Sequence, residues 1–276
     1  MRFLLLIIGI NLLGTGYTQE ETSNSNKNKV FIYWGWNRGY YSKSDIHFTG
    51  QNYDFTLEKV IAKDRQTKFA LDPYFNPVRI TIPQTNFKAG FFFHEKYNIS
   101  FGVDHMKYVM QQDQTVRISG YIDASDTIYN KSYQEESIVL THDFLKFEHT
   151  DGLNYVNVEL NRFDNVLTLF SDKFPIGINL TEGIGIGALY PKTNAKLMNF
   201  EQNDEFHVAG YGISSKVGID ISFLKHFFFR FEGKAGYINM PDIRTTPNKE
   251  DKASQHFFFL QRNFLIGGSF NIGNKN

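Results

Sequence analysis

Ile176-Gly177-Ile178-Asn179-Leu180-Thr181-Glu182-Gly183-Ile184-Gly185-Ile186-Gly187-Ala188-Leu189-Tyr190 decides the fold of this chain. Residues two apart share a face of an extended strand. One face therefore carries Ile176, Ile178, Leu180, Glu182, Ile184, Ile186, Ala188 and Tyr190, and the other Gly177, Asn179, Thr181, Gly183, Gly185, Gly187 and Leu189. A strand in a soluble protein usually runs to about 5–6 residues, and this pattern is far longer. Residues 207–221 repeat it, with Ala209, Tyr211, Ile213, Val217, Ile219 and Ile221 set against Gly210, Gly212, Ser214, Lys216, Gly218 and Asp220. Long strands that are apolar on one side and small or polar on the other suit a barrel with lipid outside and a polar lumen. Closure follows, because lipid offers no partner to an open sheet edge. A secreted sandwich would carry Thr, Lys and Glu on its solvated face rather than glycine. The expected class is all-β, a closed antiparallel transmembrane β-barrel.

The remaining sequence agrees. Met1-Arg2, the apolar run 3–13 and the small or polar residues 14–19 have the layout of a secretory signal peptide, about eleven apolar residues being too short to span a bilayer as a helix. The expected organisation is a signal peptide at 1–19, a polar, flexible lead-in at 20–28 and the barrel at 29–276. The 29 Lys and Arg balance the 29 Asp and Glu, which removes the basic footprint of a nucleic-acid binder. Cysteine is absent, which excludes disulfides, thiolate metal sites, Cys nucleophiles and N-terminal lipoprotein anchoring. No cofactor is expected: Gly183, Gly185 and Gly187 imitate a nucleotide fingerprint, but inside a strand and with no helix after them.

Alternating segments occur near 29–38, 45–61, 79–94, 97–111, 114–124, 136–149, 153–163, 175–190, 205–222, 227–240 and 256–272. Bacterial barrels have an even strand number and short periplasmic turns. With Glu95-Lys96 and Leu224-Lys225 as such turns, the first 94 residues hold one strand too few. Either 45–61 divides at Gly50-Gln51-Asn52 or a strand lies within 67–75, so the expected count is about twelve, with ten as the fallback. Connections 191–204 and 241–255 then face the outside. Phe91-Phe92-Phe93, Phe227-Phe228-Phe229 and Phe257-Phe258-Phe259 fall at strand ends, where aromatic girdles sit.

Arg230, Glu232 and Lys234 alternate on one strand, with Lys216 and Asp220 facing the same way on the strand before. A charge on the lipid side near the midplane costs roughly 2–4 kcal/mol, so these residues are expected in the lumen, as a salt-bridged plug or a polar channel lining. About twelve strands enclose a far narrower space than a porin, which favours the plug. The weak catalytic candidates lie in Glu148-His149-Thr150-Asp151-Gly152-Leu153-Asn154-Tyr155, with Glu159 beyond. This stretch faintly resembles the His-x-Ser-Asn element of outer-membrane phospholipases and lipid A deacylases, but Asp151 stands where the nucleophilic serine belongs. Asp-Gly between alternating segments reads instead as a hairpin turn at 150–152. His105 is a further lone histidine that could pair with His149. No metal site is expected.

Trp34-Gly35-Trp36-Asn37-Arg38-Gly39-Tyr40-Tyr41, Ser44-Asp45-Ile46-His47-Phe48, Asp104-His105-Met106-Lys107-Tyr108-Val109-Met110, Leu189-Tyr190-Pro191-Lys192-Thr193-Asn194 and Asp251-Lys252-Ala253-Ser254-Gln255-His256-Phe257, with the run 149–155, together resemble uncharacterised outer-membrane β-barrel proteins of Bacteroidetes-type Gram-negative bacteria. The resemblance implies a barrel in the cell outer membrane and brings no reaction, ligand or site residue with it. The expected role is a structural or interaction barrel or a narrow pore for small solutes, with a lipid-acting hydrolase using His149 as the alternative. The expected partners are outer-membrane lipids and the barrel-assembly machinery, whose terminal signal the final strand, Asn263 to Ile272, resembles.

Overall fold

The computed structural model describes residues 25–76, 78–79, 82–124, 127–169 and 175–272; the expected signal peptide lies outside the described residues, as do positions 20–24 of the lead-in. In chain order the strands are β1 (Lys29–Tyr41), β2 (Ser44–Gly50), β3 (Tyr53–Val60), β4 (Ala62–Lys63), β5 (Thr85–Phe92), β6 (Tyr97–Met110), β7 (Thr115–Ile122), β8 (Lys131–Val139), β9 (Leu145–Leu169), β10 (Ile176–Leu189), β11 (Lys192–Leu197), β12 (Asn203–Phe206), β13 (Gly210–Phe223), β14 (Phe227–Arg244) and β15 (Lys252–Asn271). Eight of them close into a ring, β1-β5-β6-β9-β10-β13-β14-β15, each antiparallel to the next. The ring is sealed where β15 returns to β1, from Lys29↔Asn271 to Tyr41↔Phe259.

The ring has eight strands rather than the expected twelve, and the reason lies in which face is apolar. On the ring strands the exposed face holds Ile32, Phe87, Ile99, Phe101, Val158, Leu160, Ile184, Ile186, Ile213, Val217, Phe231 and Leu260. That is a lipid-facing band. On β2, β3 and β7 the pattern is inverted. Ile46, Phe48, Phe55, Leu57 and Ile118 are buried to 1% exposure or less. Asp45, Thr56 and Arg117 occupy the outward face. Such strands suit water outside and an apolar core inside. They leave the membrane ring and build a head at its extracellular end, where β2, β3, β7 and β8 extend a sheet from the upper part of β15. β11 lies on the upper part of β9 and carries β12, and β4 lies on the top of β6. The division of 45–61 at Gly50-Gln51-Asn52 is the β2–β3 hairpin. Segment 67–75 contains only the helical turn Leu71–Tyr74.

The head has its own core, including Phe48, Phe55, Phe144, Phe147, Leu197 and Phe257. The start of β1, Lys29, and the end of β15, Asn271, meet at the opposite, periplasmic end. The expected outer connections 191–204 and 241–255 do lie on the head side, the first folding as the β11–β12 hairpin. In the second, β14 and β15 run on past the membrane to pair Arg244 with Lys252.

The expected hairpin at 150–152 is absent, because β9 runs straight through it for 25 residues. Met106 pairs with Leu153 and Tyr108 with His149, so Lys107 alone faces Thr150, Asp151 and Gly152. This is a bulge, and Gly152 holds φ +130° there. A turn-forming dipeptide serves a bulge equally well, since both need a residue free to adopt positive φ. The Phe triplets are likewise not simple girdles. Strand alternation sends Phe92, Phe228, Phe257 and Phe259 inward and Phe93, Phe227 and Phe258 outward.

Two measurements test this architecture. The folded protein should migrate faster than the boiled protein on a detergent gel and fractionate with membranes; recovery in the soluble periplasmic fraction would refute it. Gly152→Val would push a Cβ to 2.6 Å from the Asn154 amide at a backbone setting that L-residues avoid. It should destabilise the fold by about 1–3 kcal/mol in urea unfolding.

Candidate functional site

Alternation on five ring strands points Lys88, Asp104, Glu159, Lys216, Asp220, Arg230, Glu232 and Lys234 into the lumen, each at most 7% exposed. Glu159 is the hub. Its carboxylate accepts from Lys216 at 2.7 Å, Lys234 at 2.6 Å and Ser100 at 3.3 Å, and lies 3.2 Å from Lys88. Lys234 also donates to Asp104 at 2.7 Å, and Lys216 lies 3.1 Å from Glu232. Arg230 grips Asp220 with two parallel bonds of 2.6 and 2.8 Å, a geometry that only a guanidinium supplies. Asn157 takes a hydrogen bond from Lys88 and gives one to Asp104. Asn263 donates to Glu232 at 2.9 Å.

Four anions and four cations make the set neutral, which matters because an uncompensated charge this deep would be costly. Glycines on β10 make room for it: a Cβ on Gly183 would sit 2.2 Å from Asn161 and 3.1 Å from Lys216. Below the charges, towards the periplasm, Phe31, Tyr33, Phe92, Phe228 and Leu265 form an apolar layer, with Phe163 against it. Arg230 lies over the Tyr33 ring at 4.8 Å and joins the two layers. Above, Tyr155 and Phe259 begin the head core. From the periplasmic end upward the interior thus holds an apolar layer, the ionic network and the base of the head core.

Lys88, Asp104, Asn157 and the structural place of Glu159 escape the sequence reading, although the signal is there. Asn98, Ser100, Gly102 and Asp104 alternate with Tyr97, Ile99, Phe101 and Val103. Asn157, Glu159 and Asn161 alternate with Val156, Val158 and Leu160.

The weak catalytic candidates do not meet. His149 is fully buried in the head, sharing a 3.0 Å hydrogen bond with Thr193 and packed against Phe147 and Tyr108. Burial pushes its pKa down to about 3, so it is a neutral imidazole with no approach for substrate. Asp151 is exposed and paired with Lys192 at 3.0 Å. The Asn154 amide oxygen accepts a 2.8 Å hydrogen bond from His105 Nδ1, and its amide nitrogen donates to the Tyr190 carbonyl on the outer wall. Glu159 belongs to the lumen network. No group of three or more metal-ligating side chains occurs among the described residues.

Ring closure, an apolar outer band and a polar interior settle the class. The fold is that of an outer-membrane β-barrel. Solved structures with similar chains include the outer-membrane protein OprG from Pseudomonas aeruginosa, at 9% identity over 90% of this chain and 98% of that one, TM-score 0.41. Another is the outer-membrane protein AlkL, at 6% identity over 95% and 99%, TM-score 0.40. The outer-membrane protease OmpT from Escherichia coli is similar at 10% identity over 92% and 100%, TM-score 0.30. No protein-family description and no curated protein matches the sequence.

Two predictions follow from the barrel's interior. Asp220→Leu strands the Arg230 guanidinium and should cost about 3–5 kcal/mol, whereas Asp220→Leu with Arg230→Leu should cost less, as measured by urea unfolding in vesicles. Because His149 titrates near 3 when folded and near 6.5 when unfolded, only the unfolded chain takes the proton between those values. Its contribution is complete above pH 6.5 and declines by about 1.4 kcal/mol per pH unit as pH falls towards 3. His149→Phe should flatten that part of the stability profile.

Proposed function

We propose that this protein is a sealed outer-membrane barrel that works by display: the ring anchors the chain, and the β-sheet head above it meets partners outside the cell. The observation that carries this reading is the neutral four-plus-four charge network held between an aromatic layer below and an apolar core above. A pore needs a polar path with water in it, and here each of the eight charges has an ion-pair partner of opposite sign on the wall of the ring. The head supports the display role. Its polar outer face and its edge strand β8, with Glu135 and Lys131 exposed, are ordered surfaces rather than loose loops. The resemblance to Bacteroidetes-type barrels supports a place in that kind of cell envelope, with lipid around the band and the assembly machinery reading the terminal strand.

Purified protein in planar bilayers tests the proposal. It should give no unitary conductance steps at physiological salt. Reproducible openings would overturn the sealed-barrel reading in favour of a narrow solute pore.

A further inference from the structure

Arg38 and Arg262 stand directly opposite each other across the β1–β15 seam, on the lipid-facing side. Like charges in that relation repel, and charge on this face of a barrel is expensive. Among the described residues no carboxylate lies within ion-pair distance of either arginine. Arg262 donates to the Tyr40 hydroxyl and lies 5.1 Å from the centre of its ring. Neighbouring charges behave differently, since Arg65 pairs with Glu148 at 3.3 Å and Arg79 with Asp72 at 3.2 Å. Asp64 is close enough to Arg38 for the two charges to attract; one of its carboxylate oxygens accepts from the Gly39 N–H at 2.9 Å and from Gln66, and the other has no hydrogen-bond partner.

The pair opens onto a groove of about 510 Å³ walled by Trp36, Phe69, Tyr74 and Phe264. The Trp36 and Phe264 rings stack at 6.0 Å, and the enclosed Trp36 indole N–H has no acceptor. Beside the groove, Phe69, Leu71, Phe75 and Val78 stand exposed at 56–91%. A loop in water would hide such residues. On β15, Arg262 lies above Ile266 and Phe270 and below Phe258, which places the pair in the extracellular half of the band.

We propose that this groove binds a phosphorylated glycolipid of the outer leaflet, of lipid A type. Its phosphate bridges the Arg38 and Arg262 guanidinium groups, and an acyl chain lies along the aromatic wall. Guanidinium groups match phosphate oxygens in bidentate geometry, and one anion between them relieves the cross-strand repulsion. The exposed apolar segment lies against the same chains. This inference rests on the barrel standing in an outer membrane and is independent of whether its lumen conducts.

Native mass spectrometry of the detergent-purified barrel tests it, with lipid A, phosphatidylglycerol or inorganic phosphate added. The wild type should retain one lipid A, and Arg38→Gln and Arg262→Gln should each weaken retention about tenfold or more. Heat-modifiable migration reports folding separately. Arg38 makes no hydrogen bond that the fold would lose, so Arg38→Gln carries the test if Arg262→Gln misfolds. Undiminished lipid A retention in the folded variants overturns the site. Retention of phosphatidylglycerol or inorganic phosphate as firm as that of lipid A overturns its assignment to a glycolipid.

Discussion

The structure depends on Glu159 and the three lysines around it. A ring of eight strands leaves an interior too small for bulk water but too large to leave empty. The strands cannot fill it with apolar residues alone without turning the whole chain into an apolar run, which would erase the two-sided pattern that places a strand at the lipid boundary. Charges of opposite sign, contributed by β5, β6, β9, β13 and β14, fill the space and remain neutral as a set. Four of these ion pairs also tie together strands that are not neighbours in sequence. Lys234 of β14 holds Asp104 of β6, a residue 130 positions away.

Polarity inverts along the same strands where the chain leaves the membrane. The inward face of β15 reads Ala253, Gln255, Phe257 and Phe259 in the head, with Gln255 accepting from the Tyr108 hydroxyl, then Gln261 and Asn263 in the barrel. On β6 it reads Met110, Tyr108 and Met106, then Asp104 and Ser100. Where the outside is water the inside is apolar, and where the outside is lipid the inside is polar. The change occurs near the Gly152 bulge, which shifts the register of β9 against β6 as the two strands pass from one regime to the other. A single continuous sheet thus serves two solvents.

Much of this was legible in the residues. The faces of β10 and β13 follow from alternation alone, because glycine opposite isoleucine is unambiguous. The inward row of Arg230, Glu232 and Lys234 follows from their spacing of two. What alternation could not supply was the sense of the inside: Ile46, Phe48, Phe55 and Leu57 alternate as cleanly as a lipid-facing row, and only their polar partners Asp45, Asp54 and Glu58 mark the outer face as wet. Counting β2, β3 and β7 into the ring, and taking 136–149 as a strand separate from 153–163 although β9 runs through both, gives twelve. The ionic network was hidden for a different reason, since its members come from five strands whose adjacency is set by ring closure. Lys88 and Asp104 look like isolated charges until β5, β6 and β9 are placed side by side. His149 drew notice as a catalytic type of residue, yet the head core around it makes it a packing residue.

The most direct test of a sealed barrel uses the absence of native cysteine. Thr181→Cys places a thiol on the buried lumen face of β10, and Ser137→Cys places one on the exposed surface of the head. A small membrane-impermeant thiol reagent applied to intact cells, and then to opened envelopes, should label position 137 and leave position 181 unmodified until the barrel is unfolded. Labelling of folded Thr181→Cys from either side would show a path through the lumen and contradict the account.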